Sequence, residues 1–160
     1  MTIHLASDHA GWELKEAVKA LLATEPSYEM VDHGAARYDE TDDFPLCIAP
    51  AARAVAAAPT TARAIIFGGS GQGEAMIANR FPGVRATVFY GEPAGATPDS
   101  DGDVLSIITA SRRHNDANVL SIGARYVSET TAVAAIKQWL VTDFSGDSRH
   151  VRRIEQIEAL

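Results

Sequence analysis

At 160 residues the chain is long enough to bury a core in one domain without disulfides, and its single cysteine, Cys47, leaves no intrachain disulfide and no cysteine cluster for zinc. The formal charge of −7 repels nucleic acid, whereas a small anionic metabolite needs only a local group of cations. The opening MTIHLASDHAG is not a secretory leader and no apolar run approaches a membrane span, so a cytoplasmic protein with no membrane partner is expected.

Short apolar runs alternate with helical patterns, which predicts five βα units and a parallel sheet covered on both faces. The first strand, Thr2–Ala6, ends in Ser7-Asp8-His9-Ala10-Gly11 and feeds a helix over Gly11–Ala23. Carboxyl ends of strands in such sheets face ligands, so Asp8 and His9 point to the cleft; alternatively, Asp8 only caps the helix and His9 is a neutral loop residue. A weakly patterned second strand, Glu29–Asp32, precedes a helix over Asp43–Ala57, with Asp42 or Asp43 as cap and Pro45 in its first turn. Its alanine-rich stretch suits close packing on the sheet or on a partner helix.

The third strand, Ala64–Phe67, runs into Gly68-Gly69-Ser70-Gly71-Gln72-Gly73 and a helix over Glu74–Asn79. Glycines at 68, 69, 71 and 73 let the backbone take positive φ and approach a ligand closely, which looks like an anion site with the Glu74 carboxylate beside it as a base; alternatively, the run is only a tight strand-to-helix turn and Glu74 an incidental surface residue. The run lacks the lysine of a P-loop, follows the wrong strand for a dinucleotide turn, and lacks the G-x-S-x-G spacing of a serine hydrolase. A fourth strand, Arg85–Phe89, leads to Gly91–Asp103, rich in Gly, Pro, Asp and Ser and expected to be a surface loop without apolar anchors, either mobile or functional.

A helix near Leu105–Arg113 should end in solvated cations at Arg112 and Arg113, before Arg113-His114-Asn115-Asp116 and the fifth strand, Val119–Ile122. Ile122-Gly123-Ala124-Arg125, a helix over Ser128–Val141 and a closing helix over His150–Ala159 complete the chain. Arg149 and Arg153, four apart, lie on one helical face and make a phosphate clamp. The five histidines are scattered with no i, i+4 pair, so no metal site is expected.

Taken together, SDHAG at 7–11, GGSGQGE at 68–74, IANR at 77–80, RHND at 113–116, IGAR at 122–125 and RHVRR at 149–153 resemble the ribose-5-phosphate isomerase B family, with its galactose-6-phosphate isomerase relatives. The resemblance runs from Ile3 to Arg153. It implies an α/β, Rossmann-like three-layer α/β/α sandwich with a five-stranded parallel sheet. It also implies a homodimer, or a tetramer, with sites between subunits, and interconversion of an aldose and a ketose phosphate without metal or cofactor. Asp8 and His114 correspond to the pair that opens the sugar ring, His114 entering from the second subunit. His9, Arg149 and Arg153, with Arg125 of the other chain, correspond to the phosphate-binding set. Gly69, Ser70, Gly71 and Gly73 correspond to the loop that holds the enediolate oxygens, with Asn115 nearby.

There are two departures. Many members carry a cysteine base where this chain has Gly68; the branch without it has a glutamate after the glycine run, as Glu74 is here. The segment Gly91–Asp103 is longer than the family pattern, which leaves the substrate's size open. The expected reaction links ribose 5-phosphate and ribulose 5-phosphate in one domain over residues 1–160, with 91–103 as a loop insertion. A tetrose 4-phosphate or hexose 6-phosphate isomerase, or a non-catalytic phosphosugar-binding module, is the alternative. A pure binder has no need of a base at position 74.

Overall fold

The computed structural model describes residues 1–160. Five strands, β1 (Thr2–Ser7), β2 (Glu29–Asp32), β3 (Ala62–Gly68), β4 (Ala86–Phe89) and β5 (Val119–Gly123), alternate with six helices. The helices are α1 (Trp12–Leu22), α2 (Phe44–Ala57), α3 (Gln72–Ala78), α4 (Ile107–Asn115), α5 (Glu129–Val141) and α6 (Ser148–Glu158). All strand pairs are parallel, in the order β2-β1-β3-β5-β4, which is the expected three-layer α/β arrangement. No helix is long and apolar enough to cross a membrane.

Strand alternation divides the core between the two faces. In β3, Ile65 and Phe67 join Ile3 and Leu5 of β1 under α1, α4 and α5, with Trp139 fully buried among them. Ala64 and Ile66 turn the other way, onto Ile48, Ala51, Ala52 and Val55 of α2. The alanines of α2 therefore serve the close approach of that helix to the sheet, and each buried Ile or Phe contributes roughly 2 kcal/mol. The edge strand β2 is largely exposed and is tied down by Lys15 of α1. The Lys15 ammonium, fully buried, donates to Asp32 Oδ1 at 2.9 Å, Oδ2 at 3.1 Å and the Ala35 carbonyl at 2.8 Å.

Several local expectations change. The chain after β1 makes a 3-10 turn over His9–Gly11, so α1 starts only at Trp12. The third helix starts at Gln72, two residues before Glu74, and the last runs over Ser148–Glu158 instead of His150–Ala159. Arg112 is not a solvated cation. It lies buried against Trp139, donating to the carbonyls of Thr142 and Ala117 and to Asp116.

The topology fixes where a ligand can sit. The chain leaves β1 toward β2 and returns past it to β3, so the connections diverge above the carboxyl ends of β1 and β3 and open a crevice there. By contrast, α4 runs back toward the amino end of β5, and α6 begins beside the end of α4. Residues 113–116 and 148–153 thus belong to the opposite edge of the sheet.

Candidate active site

At the end of β1, Asp8 is 7% exposed and accepts a 3.0 Å bond from the Gly11 amide, closing the 3-10 turn. Capping and cleft placement thus coexist. His9 Nδ1–H donates to Asp42 Oδ1 at 2.7 Å, which raises the imidazole pKa, with Asp8 adding to the effect, and leaves Nε2 free to meet an anion. Asp42 went unassigned from sequence because it stands in an acidic run beside Asp43, the residue that precedes α2. Asp42 also accepts from Cys47 Sγ at 3.7 Å. Burial, then the Asp42 charge, pushes the thiol up to about 11, so Cys47 is a neutral group at the site's edge. Asp8, His9 and Asp42 can offer three ligand atoms within 4.8 Å of one another, but the His9–Asp42 bond accounts for the cluster without a cation.

The glycine run leaves β3 beside Asp8, whose amide bonds the Phe67 carbonyl at 3.3 Å. Of its four glycines Gly71 takes positive φ, at 76°, and the others serve close approach. The loop is clamped to β5. Ala124 and Arg125 amides donate to the carbonyls of Gly68 and Gly69 at 2.9 and 3.1 Å, and Ser121 Oγ donates to the Gly71 carbonyl at 2.7 Å. Ser70 Oγ accepts from the Gln72 amide, while the amides of Gly69, Ser70 and Gly71 donate to nothing within the chain. They are a row of fixed, unused donors, the arrangement a developing oxyanion requires. Gly73 has no room for a Cβ because the Phe44 ring stands 2.9 Å from its place.

Glu74 is 4% exposed, and its carboxylate lies where a side chain at position 68 would start: a Cβ built on Gly68 would fall inside it. Burial raises the Glu74 pKa, its own amide opposes this, and the charge of Asp8 adds to the rise. Burial likewise lifts Asp8, against the Gly11 bond. Arg125 stacks over Gly69, with Cζ 3.3 Å from where a Cβ would be, and its charge is felt at His9. Within the chain, Arg125 is carried to Gly69 and toward His9 by the end of β5.

A second group gathers at the opposite edge. The His114 and His150 rings lie 4.5 Å apart, and Arg149 Nε donates to His150 Nε2 at 3.1 Å. Because Nε2 accepts, buried His150 is neutral and its Nδ1–H serves Ser145, consistent with a pKa lowered by burial and by the His114 and Arg149 charges. Arg153 is exposed and unpaired. Asn115, expected near the glycine loop, ends α4 with an exposed side chain and a carbonyl bonded to Arg85. No hydrogen bond or ion pair joins this group to Asp8, His9 or Glu74.

Polar contacts hold the segment Gly91–Asp103. Glu92 accepts from the Ile107 amide at 3.0 Å, Asp103 faces Arg113 at 3.4 Å, Asp99 faces His114 at 3.4 Å, and Asp101 takes both terminal nitrogens of Arg149. Carboxylates dense enough to look like solvated loop residues are here counter-charges for cations remote in sequence.

Buried acids beside idle amide donors, with His9 and Arg125 close by, define a site suited to proton transfer on a carbonyl compound. The family model for ribose/galactose isomerases matches residues 3–157. Over 156 residues the chain is 36% identical to ribose-5-phosphate isomerase B of Mycobacterium tuberculosis, covering 97% of this chain and 86% of that one. It is 34% identical over 158 residues to ribose-5-phosphate isomerase B of Escherichia coli, covering 99% and 95%. The solved structure of ribose-5-phosphate isomerase B from Mycoplasma genitalium with bound ribulose-5-phosphate is similar at a TM-score of 0.84 and 29% identity, covering 99% of this chain and 94% of that one. The chain therefore belongs to the ribose/galactose isomerase family.

Proposed function

We propose that this chain interconverts ribose 5-phosphate and ribulose 5-phosphate, with Glu74 carrying the proton between C2 and C1. The observation that supports this most is the buried Glu74 carboxylate under the Gly68–Gly71 turn, beside three idle amide donors. An aldose–ketose shift needs a base above the carbon acid and donors where negative charge develops on the enediolate oxygen. Glu74 has a pKa raised by burial, hence more basicity than a solvated carboxylate, and the amides of Gly69, Ser70 and Gly71 are already oriented. Asp8, hydrogen-bonded at the same crevice, transfers the ring-opening proton.

The remaining parts, His114, Arg149 and Arg153, stand on the other edge of the same chain, and a second copy is what reunites them with Glu74. The active unit in this reading is a homodimer in which one protomer supplies Asp8, His9, the glycine turn, Glu74 and Arg125. Its partner supplies the ring-opening histidine, an asparagine and the two-arginine clamp for the phosphate. Residues 1–160 act as one isomerase domain carrying the 91–103 insertion. Binding the phosphate away from the reacting carbons positions the C2–H against the base.

The test is a panel of four-, five- and six-carbon aldose phosphates assayed with the full chain. Ketose formation should be fastest with ribose 5-phosphate. Turnover confined to a tetrose or hexose phosphate would move the substrate but keep the mechanism, and binding without turnover of any would abandon catalysis.

A further inference from the structure

Arg149 is already occupied by an anion belonging to the chain. Its Nη1 donates to Ser100 Oγ and to Asp101 Oδ1, both at 3.0 Å, its Nη2 pairs with Asp101 Oδ2, and its Nε bonds His150. Those four bonds leave the guanidinium with one N–H to spare. The carboxylate is delivered by a turn that holds its own shape. Asp99 Oδ1 accepts the amides of Asp101 and Asp103 at 2.8 and 3.0 Å, and the Asp99 amide bonds the Asp103 carbonyl at 2.9 Å. Three carboxylates of that turn thus face basic side chains, Asp99 the His114 ring, Asp101 Arg149 and Asp103 Arg113.

The stems of this segment permit it to leave. Gly91 and Gly95 take φ of 123° and 79° with no atom within 4 Å of where a Cβ would stand, so both are free pivots. Asp101 is 47% exposed, and nothing apolar holds it.

We propose that Asp101, presented by the Asp99–Asp103 turn, is an internal competitor for Arg149 that the substrate's phosphate must displace, lowering the apparent affinity of the site for every anion by the same factor. The proposal rests on Arg149 being a phosphate ligand. A bound sugar must expel a bidentate carboxylate. A phosphate ester carries nearly two charges on three strong acceptor oxygens and binds Arg149 more tightly than an anion with one charge and two oxygens, such as a sugar acid. The turn weakens both alike and leaves their ratio unchanged.

The experiment compares Asp101→Asn, Arg149→Ala and the double variant by steady-state kinetics with ribose 5-phosphate, and by competitive inhibition with inorganic phosphate. Asp101→Asn keeps the shape of an exposed side chain, and an unchanged melting temperature verifies the fold. Its KM and its inhibition constant for phosphate should each fall about three- to five-fold, the scale of one partly exposed ion pair, with kcat within two-fold of the native value. Inhibition by ribonate, a sugar acid without phosphate, should strengthen by the same factor. In the Arg149→Ala background the Asp101 change should do nothing. If Arg149→Ala raises KM while Asp101→Asn leaves it unchanged, the clamp stands and the competition is wrong. If Arg149→Ala leaves KM unchanged, the clamp reading falls and takes the competition with it. An Asp101 effect that persists without Arg149 also overturns the proposal, because it would reflect general charge and not displacement.

Discussion

At the scale of single residues, the geometry separates the two groups that could act as base. Glu74→Gln keeps size and hydrogen bonding but cannot accept a proton, so exchange of the substrate C2 hydrogen with solvent should fall by about 10²-fold or more while substrate still binds. Cys47→Ser should leave that exchange nearly unchanged, because the thiol, with a pKa near 11, is neutral and serves Asp42. Near-native exchange in Glu74→Gln would remove Glu74 from the mechanism. Gly68→Ala offers a second check: the atoms nearest the new Cβ are the carboxylate end of the Glu74 side chain, so the fold should survive and activity should drop as the carboxylate is pushed aside. The raised pKa has a thermodynamic sign as well. Burial makes the folded state bind the Glu74 proton more tightly than the unfolded chain does. Glu74 therefore costs stability as pH rises from the ordinary carboxylate value through its folded pKa, and the cost persists above that. Glu74→Gln should melt higher than the native protein at pH 7, the gap closing as pH falls toward about 4.3. A lower melting temperature at pH 7 would mean that the carboxylate is stabilised by contacts that outweigh its burial. The sequence singled out Glu74 as the carboxylate after the glycine run, but a Glu in the first turn of a helix is also favoured by the helix dipole, so its burial in the crevice was not legible there. The roles of Asp42, His150 and Asp101 were not legible either, because each acquires its role from a partner brought near only by the fold.

At the scale of elements, apolar runs located all five strands, since β1, β3 and β5 are buried on both faces and their sequences carry little else. Boundaries slipped where hydrogen bonding, not pattern, decides: Asp8 draws the chain into a 3-10 turn before α1, and Gly71 starts α3 two residues early. The weak pattern of β2 has its explanation in Lys15, a charged residue in a buried position of α1 whose partner, Asp32, ends that strand. Burial alone would raise the Asp32 pKa, yet bonds from Lys19, the Gly34 amide and Lys15 together lower it. Asp32→Ala should therefore destabilise the protein by about 3 kcal/mol, because it strips a buried ammonium of its main counter-charge. Lys15→Met with Asp32→Ala should recover most of the loss. A single-variant loss below about 0.5 kcal/mol in urea titrations would show that Glu16 and the Ala35 carbonyl suffice for Lys15.

For the whole molecule, the separation of Glu74 from His114 turns subunit assembly into a measurable requirement. Mixing His114→Ala chains with Glu74→Gln chains, after exchange is confirmed by mass, should restore roughly a quarter of native activity, since half the dimers are mixed and each holds one intact site. No recovery would place both residues in one protomer's site. Strand order carries a further consequence, for synthesis. Because β5 inserts between β3 and β4, β4 has no other partner in the sheet and β3 lacks one neighbour until residue 119 has been made. A nascent chain emerging from the ribosome can pair β1, β2 and β3, but β4, held to the end of α3 by Asn79, stays outside the sheet until residues 119–123 have been made. Amide protection in β4 should thus arrive together with that of β5 in refolding experiments, and a chain stopped before Val119 should leave the glycine turn without its clamp, a partially built site with an open sheet edge.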